Sequence, residues 1–215
     1  MIIIKSKREI ELMKEPCKIT GEILRELETH IKPGMSTMDI NAYVEDRIAH
    51  YNMKPTFKGY GGFPAGACVS VNEEVVHGIP SKDRIVHEGD IVSIDTGATY
   101  KGYNSDAART YAVGAISDEA QKLIDVTEQS FFEGIKYAMV GYRIHDIGHA
   151  VQVYAEKNGM TVHFYTKGVC CIIYNLKPIG ISNFFYTLCI TRLTINMYRH
   201  NCSCPWRNHS FNLLR

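Results

Sequence analysis

Two aspartates are the residues of this chain whose type and spacing best suit them for chemistry. Asp95 and Asp106 lie eleven positions apart in the stretch IVSIDTGATYKGYNSDAARTY. Its flanks are rich in β-branched and aromatic residues, and a Lys-Gly pair between them favours a turn, so the stretch is predicted to form a β-hairpin. An odd separation across such a turn puts both carboxylates on one face of the ribbon. Like charges so placed repel each other unless a cation lies between them, which indicates a metal site.

The register of this hairpin has two alternatives. A turn centred on Tyr100-Lys101 makes the aspartates direct cross-strand partners, and a turn centred on Lys101-Gly102 makes them diagonal neighbours about 7 Å apart. Alternation along the strands predicts a cavity lined by small side chains on the aspartate face and a core on the other face. The competing interpretation, which applies to any hairpin, is that both carboxylates are solvated on an exposed face. The aspartate face carries Ser93, Gly97, Ala108 and Thr110, and the opposite face carries Val92, Ile94, Tyr111 and Val113.

Length and charge place the chain among ordinary soluble proteins. Its 215 residues can bury a sizeable core as one domain, and its net charge of +1 gives no electrostatic footprint for nucleic acid or an anionic membrane. The start, MIIIKSKREI, lacks the apolar segment of a signal peptide, and no window is apolar enough for a membrane span. With seven cysteines and no secretory signal, we expect reduced thiols in a cytoplasmic setting. We also expect a monomer.

The composition changes abruptly near residue 162. All 23 acidic residues occur at or before Glu156, and the chain that follows is rich in Ile, Asn, Tyr, Phe and Cys without sustained alternation or a helical stripe. A divergent basic extension and translation out of frame after an insertion or deletion both explain this. We favour the second, because an authentic fold is consistent from local pattern to global composition. The predicted division is a catalytic-type domain over 1–162 and an aberrant tail over 163–215.

A weak internal repeat organises the part before the break. PGMSTMDINAYVEDRIAHYNM recurs as VGYRIHDIGHAVQVYAEKNGM at a constant offset of 107, which indicates a duplicated unit. The first copy is predicted as a helix from Ser6, capped by Glu9, then a helix from about Thr37, a Gly-rich loop and an antiparallel sheet. The second copy is predicted as helices near 118–138 and 144–157, with a sheet from about 160. The stripe assigned to the first helix is Ile10, Met13, Cys17, Leu24 and Leu27.

Two further features lie between the predicted second helix and the hairpin. The run KGYGGFPAGA lacks a following P-loop Lys-Ser/Thr, so it is interpreted either as a pocket-lining loop with Tyr60 and Phe63 or as a plain surface loop. His77 lies in VNEEVVHGIP at the mouth of a predicted strand pair. A lone histidine is usually structural, but one beside a cavity can donate a hydrogen bond to a developing oxyanion.

Together, VSVNEEVVHGIP, GDIVSIDTGATYKGYNSDAARTYAVG and the entry helix resemble bacterial type I methionine aminopeptidases, which are metallopeptidases of pita-bread fold. The resemblance covers residues 1 to about 162. It implies an α+β, pseudo-two-fold fold with an incomplete second half, and a cytoplasmic enzyme that removes the initiator methionine from nascent polypeptides. The alternative is a catalytically dead pita-bread protein that binds peptides or the ribosome.

By the same resemblance, Asp95 and Asp106 match two ligands of a centre of two divalent ions, drawn from Co, Mn, Fe and Zn. His77 matches a histidine that contacts the substrate near the scissile peptide, and Tyr60, Phe63 and Cys68 match the surroundings of the methionine side chain. The family completes its site with a histidine and two glutamates, yet Val169 occupies the histidine position and no glutamate follows Glu156. Metal binding is therefore expected to be weak or absent, and this chain is expected to be poorly stable and inactive.

Overall fold

Each half of the chain folds as two helices followed by an antiparallel sheet. The structure is a computed structural model that describes residues 4–165, 170–174 and 185–189, with side chains over 4–162. The helices are α1 (Lys7–His30), α2 (Thr37–His50), α3 (Asp118–Ile135) and α4 (Ile144–Lys157). The strands are β1 (Lys54–Pro55), β2 (Ala67–Val71), β3 (Ile91–Thr96), β4 (Ala98–Tyr100), β5 (Tyr103–Asn104), β6 (Ala107–Ala112), β7 (Thr161–Tyr165), β8 (Cys170–Tyr174) and β9 (Phe185–Cys189).

Helix α1 begins as predicted, with a capping box between Ser6 and Glu9. The predicted apolar stripe is only partly correct. Leu24 and Leu27 are buried, whereas Ile10 is 46% exposed and Cys17 is also exposed. The buried positions of this 24-residue helix begin only at Pro16, so periodicity alone overestimates its buried face. The residues that α1 buries are Pro16, Ile19, Thr20, Ile23, Leu24 and Leu27.

The internal repeat is present in the backbone at the predicted offset. Helices α2 and α4 have the same length and begin at equivalent positions. The backbone N–H of Ser36 donates to Asp39 (2.9 Å), as the N–H of Arg143 donates to Asp146 (2.6 Å). Gly34 and Gly141 before these helices have φ of 91° and 99°, a left-handed conformation that favours glycine. The prediction of a duplicated helix–helix–sheet unit is confirmed for the described residues.

The sheet of the first half, in the order β2-β3-β6, separates two environments. One face packs on α1 and α2 in the larger core, and this face carries Val92, Ile94, Tyr111 and Val113 as alternation predicts. The predicted face of α2, consisting of Ile40, Val44 and Ile48, is completely buried in the same core. The opposite face of the sheet is the one that carries the aspartates.

The predicted hairpin is continuous in register but bent. Its two strands run as β3 and β6 in one sheet and then as β4 and β5 in a second sheet that also contains β1. The bend falls at Gly97 on one side and at Ser105 and Asp106 on the other, so Asp106 lies at the bend and not within a strand. Gly97 permits the bend, because a Cβ atom there would lie 2.2 Å from the carbonyl oxygen of Ser105.

The second half has its own smaller core and a sheet in the order β7-β8-β9. Its sheet begins at Thr161, as the repeat predicts, but strands β8 and β9 lie in the tail where no strand was predicted. Their sequences, CCIIY and FYTLC, combine β-branched and aromatic residues, which favour strands even without alternation. The second-half counterparts of the two aspartates, Cys202 and Leu213, lie outside the described residues. Within the described ranges, no helix is both long and apolar enough to cross a membrane.

An ion pair joins α1 to α2 and gives the first half a dependence on acidity. Arg47 donates to both carboxylate oxygens of Glu26, from Nε at 2.6 Å and from Nη2 at 2.9 Å, and the Tyr43 hydroxyl donates to the same group at 3.1 Å. These hydrogen bonds, those from Arg47 first, lower the pKa of Glu26. A carboxylate whose pKa is lower in the folded state stabilises the fold above its unfolded pKa, and this contribution is lost as the pH falls through the folded value.

We therefore expect Glu26→Gln to reduce the free energy of unfolding by about 1 kcal/mol at neutral pH, because the pair is partly solvated. The difference from the parent chain should shrink as the pH falls below about 4.5, where the unfolded carboxyl group begins to protonate. Urea unfolding of both proteins across the acidic range, followed by circular dichroism, measures this. Glu128→Gln on the exposed face of α3 is the control. A Glu26→Gln difference that stays constant with pH would contradict the assigned role of the pair.

Candidate functional site

The observed register decides between the two predicted arrangements of the aspartates. Tyr100 pairs with Tyr103, so the turn is centred on Lys101-Gly102, and Asp95 lies opposite Ala108. Lys101 and Gly102 both have positive φ (48° and 84°), as a two-residue hairpin turn of this hand requires. Asp106 is therefore the diagonal neighbour of Asp95 on the same face. Such neighbours are about 7–8 Å apart at their α-carbons.

The side chains around the aspartates are small and hydroxylated. The Ser93 hydroxyl hydrogen-bonds to the Thr110 hydroxyl across β3 and β6 at 2.6 Å. Asp95 is half-buried and its Oδ1 atom is shielded from solvent, while Ala108 opposite it is exposed. The predicted contrast between a core face and a small-walled aspartate face is thus present. One oxygen of this half-buried carboxylate is therefore out of contact with water.

Asp106 is held at the bend by buried hydroxyl groups that the sequence did not suggest. The side chain of Ser105, directly before it, bonds to the Thr20 hydroxyl of α1 at 2.6 Å and to both backbone groups of Ala98 at 2.9 and 3.2 Å. Helix α1 also brings Cys17 near Asp106. Partial desolvation by neighbouring atoms, and then the negative charge of Asp106, raise the pKa of the Cys17 thiol, although the residue as a whole is exposed. The bend therefore orients Asp106 through α1 as well as through the sheet.

His77 lies in a loop that runs along the edge of β2. Its φ of 59° is in the left-handed region, which few non-glycine residues adopt and which is frequent at functional sites. Gly78 after it accepts a hydrogen bond from the N–H of Val69 (2.9 Å) and donates one to the hydroxyl of Ser70 (3.1 Å). Because Ser70 shares a sheet face with Cys68 and hence with Asp95, these bonds place the His77 backbone at the rim of the aspartate face.

The residues predicted to surround an apolar side chain fall into two groups. Phe63 and Cys68 are buried together with Phe57 and Ala65 in a small cluster, here called the apolar cluster. Cys68 pairs directly with Asp95, so this cluster borders the aspartate face. Tyr60, in contrast, is 63% exposed and lies outside the cluster, because the chain makes a tight turn over Tyr60–Gly62 and directs it to solvent. Its predicted place beside an apolar substrate side chain stays a prediction.

The carboxylates fit a divalent-ion site only in part. Two hard oxygen ligands on one face suit Mn, Fe, Co or Zn ions. A dinuclear centre, however, needs more donors than two residues supply, and no group of three or more His, Cys, Asp or Glu side chains converges in the part of the chain that the structure describes. Among the described residues, the two aspartates are therefore the donors available to a divalent ion on this face, and a third is not found beside them.

The duplicated helix–helix–sheet unit is the pita-bread fold that solved metallopeptidases of this family share. The chain belongs to metallopeptidase family M24, whose model matches residues 11–191. That match continues over residues 163–191, more than half of the compositionally unusual tail.

The relatives within this family include methionine aminopeptidases. The chain is 56% identical to one from Clostridium acetobutylicum over 162 residues and 47% identical to methionine aminopeptidase 1 of Bacillus subtilis; each match covers 75% of this chain and 65% of that protein. The chain therefore spans about two thirds of the length of these relatives. The crystal structure of methionine aminopeptidase from Thermotoga maritima superimposes with a TM-score of 0.75 at 32% identity, over 89% of this chain and 96% of that one.

Proposed function

We propose that this chain carries the first half of the active site of a metal-dependent aminopeptidase that removes the initiator methionine from nascent polypeptides. The observation that supports this most is the pair Asp95 and Asp106, diagonal neighbours on a sheet face that borders an apolar cluster. Carboxylates hold the ions, and the cluster beside them suits an apolar first side chain. The remaining expectations, cytoplasmic location, a monomeric state and the ribosome as a further partner, belong to this proposal.

Each proposed residue has one task in this scheme. Asp95 and Asp106 would hold divalent ions, which when bound lower the pKa of water and polarise a peptide carbonyl group. His77, at the rim of the same face, would donate a hydrogen bond to the oxygen of that carbonyl as negative charge develops on it. Phe63 and Cys68 would line the surface against the methionine side chain. As written, the chain should release no methionine, because two carboxylates alone bind ions weakly.

Metal titration tests the first of these roles in the chain as it exists. We expect weak binding of Mn²⁺ by the parent chain, and Asp95→Asn and Asp106→Asn should each lower the affinity about tenfold or more, since each removes a charged ligand. Calorimetry or the Mn²⁺ resonance signal measures this. Asp125→Asn on the exposed surface of α3 is the matched control. Unchanged Mn²⁺ affinity in both aspartate variants would remove the basis of the proposed centre.

The coding DNA across codons 155–175 distinguishes the proposal from its rival. If another reading frame restores a Gly-His-Gly-Ile-Gly stretch and later glutamates, the parent protein is an aminopeptidase. The protein from that frame should then release methionine from a peptide, and His77→Ala or Asp95→Ala should abolish the release. The rival, a catalytically dead peptide- or ribosome-binding protein, is favoured by the absence of a third ligand beside the aspartates in the described residues. If no reading frame restores the histidine and the glutamates, the binding protein becomes the better explanation of this chain.

A further inference from the structure

Two polar side chains of α2 and one lysine bind both ends of the Gly-rich loop, defined here as residues 58–66. Glu45 accepts a hydrogen bond from the Lys58 ammonium on Oε2 (2.5 Å) and one from the Gly66 N–H on Oε1 (3.0 Å). Asn41, one helical turn earlier, accepts from the N–H groups of Gly66 (2.9 Å) and Ala67 (3.0 Å). Its amide also donates to Glu45 (3.0 Å). The first and last residues of the loop are thus held by one carboxylate.

The contact at the end of the loop is buried and leaves no room for adjustment. Asn41 is 5% exposed, and a Cβ atom on Gly66 would lie 2.6 Å from Cγ of Glu45 and 3.2 Å from Cβ of Pro55. The carbonyl oxygen of Gly66 accepts from the hydroxyl of Thr96 at 3.0 Å. Because Thr96 follows Asp95 in β3, a continuous set of hydrogen bonds joins α2, the end of the loop and the strand that carries the aspartate.

Between these ends the loop makes one tight turn, closed by backbone hydrogen bonds between Gly59 and Phe63 (2.8 Å) and between Phe63 and Tyr60 (3.0 Å). Gly59, Gly61 and Gly62 all have positive φ, between 57° and 86°, and glycine also adopts many other backbone conformations at little cost. Yet the loop contributes Phe63 and Ala65, both nearly completely buried, to the apolar cluster over Cys68. The turn fixes the local path of the loop, and the contacts at its two ends fix where the turn lies relative to α2 and β3.

We propose that Asn41, Glu45 and Lys58 act as a clamp that fixes the Gly-rich loop and thereby sets the space beside Asp95 for an unbranched apolar side chain. They are positioning residues, since none of them needs to touch the bound molecule. The contacts described above support the attachment of the loop. Only the kind of side chain that is bound rests on the proposed function. Alkylation of the Cys68 thiol reports both parts, because this thiol is 3% exposed beneath the loop.

The first experiment measures the rates at which iodoacetamide modifies Cys68 and the exposed Cys17 of the full chain, resolved by peptide mass spectrometry. We expect Glu45→Ala and Asn41→Ala to raise the Cys68 rate at least tenfold, while the Cys17 rate stays constant. Glu45→Gln, which retains an acceptor for Gly66, should restore most of the protection. Val44→Ala, on the same helix but facing the core, is the control for general destabilisation.

The outcomes separate the clamp from a merely stabilising role. If Val44→Ala, at equal loss of unfolding free energy, raises the Cys68 rate as much as Glu45→Ala does, the clamp is refuted. If Glu45→Ala or Asn41→Ala fails to fold, Lys58→Met tests the exposed end of the loop alone. We expect this variant to raise the alkylation rate of Cys68 severalfold. A Cys68 rate within twofold of that of the parent chain refutes the clamp.

The second experiment repeats the alkylation with L-methioninamide as the probe. We expect the probe to slow modification of Cys68 in the parent chain, with L-valinamide much less effective because its β-branched side chain is shorter and wider. Protection should weaken in Glu45→Ala. If the probe protects no better than L-valinamide, the substrate class taken from the proposed function is wrong; the rates without probe still decide the clamp.

Discussion

Replacing Gly97 with alanine is expected to destabilise the first half of the chain by about 3 kcal/mol. The new Cβ atom would lie 2.2 Å from the carbonyl oxygen and 3.1 Å from the carbonyl carbon of Ser105. These are backbone atoms, which cannot turn away as the end of a flexible side chain can. The two sides of the bend must therefore separate, and Asp106, which follows Ser105, must move away from Asp95.

Urea unfolding monitored by circular dichroism measures this loss, and Mn²⁺ titration of the folded variant measures the displacement of Asp106. The matched control is Gly21→Ala within α1, where the nearest atom to a new Cβ is the end of the Arg25 side chain at 3.8 Å. Alanine there should raise stability by about 0.5–1 kcal/mol, because glycine is unfavourable inside a helix. Equal effects of the two substitutions would show that the contact at the bend is not as close as described.

The second large effect is expected for Ser105→Ala, at about 3 kcal/mol. The Ser105 hydroxyl accepts from the N–H of Ala98 and donates to the Ala98 carbonyl oxygen, so the Thr20 hydroxyl must donate the third bond. Alanine leaves the Ala98 N–H and the Thr20 hydroxyl buried without these bonds. An unsatisfied buried polar group costs about 1–3 kcal/mol, more than the net value of the bond itself.

A double-mutant cycle with Thr20→Val identifies the shared part of this effect. Valine has almost the shape of threonine and leaves Ser105 bonded to Ala98, so Thr20→Val alone should cost about 1 kcal/mol of unfolding free energy. The double variant should lose less unfolding free energy than the two single variants lose together. Ser93→Ala, which removes a hydroxyl pair of the same length on the half-buried aspartate face, should cost less. If the losses of unfolding free energy of Thr20→Val and Ser105→Ala are additive, the bond from helix α1 does not support the bend.

The sequence predicted the features that local pattern controls. Helix starts, the 107-residue repeat and the two faces of the hairpin follow from capping residues, turn glycines and alternation, each of which acts within a few residues. Alternation could not choose between the two registers, since both place Asp95 and Asp106 on one face. The left-handed residues Lys101 and Gly102 decide it, and Lys101 gives no such signal in the sequence.

The features that the sequence missed arise from contacts between distant segments. Asn41 lies between two core positions of α2 and looks like an ordinary polar helix residue until the chain brings Gly66 against it. The sequence signal for this contact was the spacing of four residues between Asn41 and Glu45, which places both side chains on one face of α2. The exposure of Tyr60 was not evident from the sequence either, because it depends on the turn at Tyr60–Gly62; its predicted role in lining a pocket stays a prediction.

The two apolar cores have no residue in common among the described positions. Segments that bury separate cores tend to open as separate cooperative units, each with its own free energy and its own exchange protection. The aspartates, the bend and the loop all belong to the unit formed by α1, α2 and the first sheet. Substitutions that accumulate in the other unit therefore need not disturb them. Hydrogen exchange should therefore resolve two levels of amide protection, one for each unit, with the aspartates and the bend in the first.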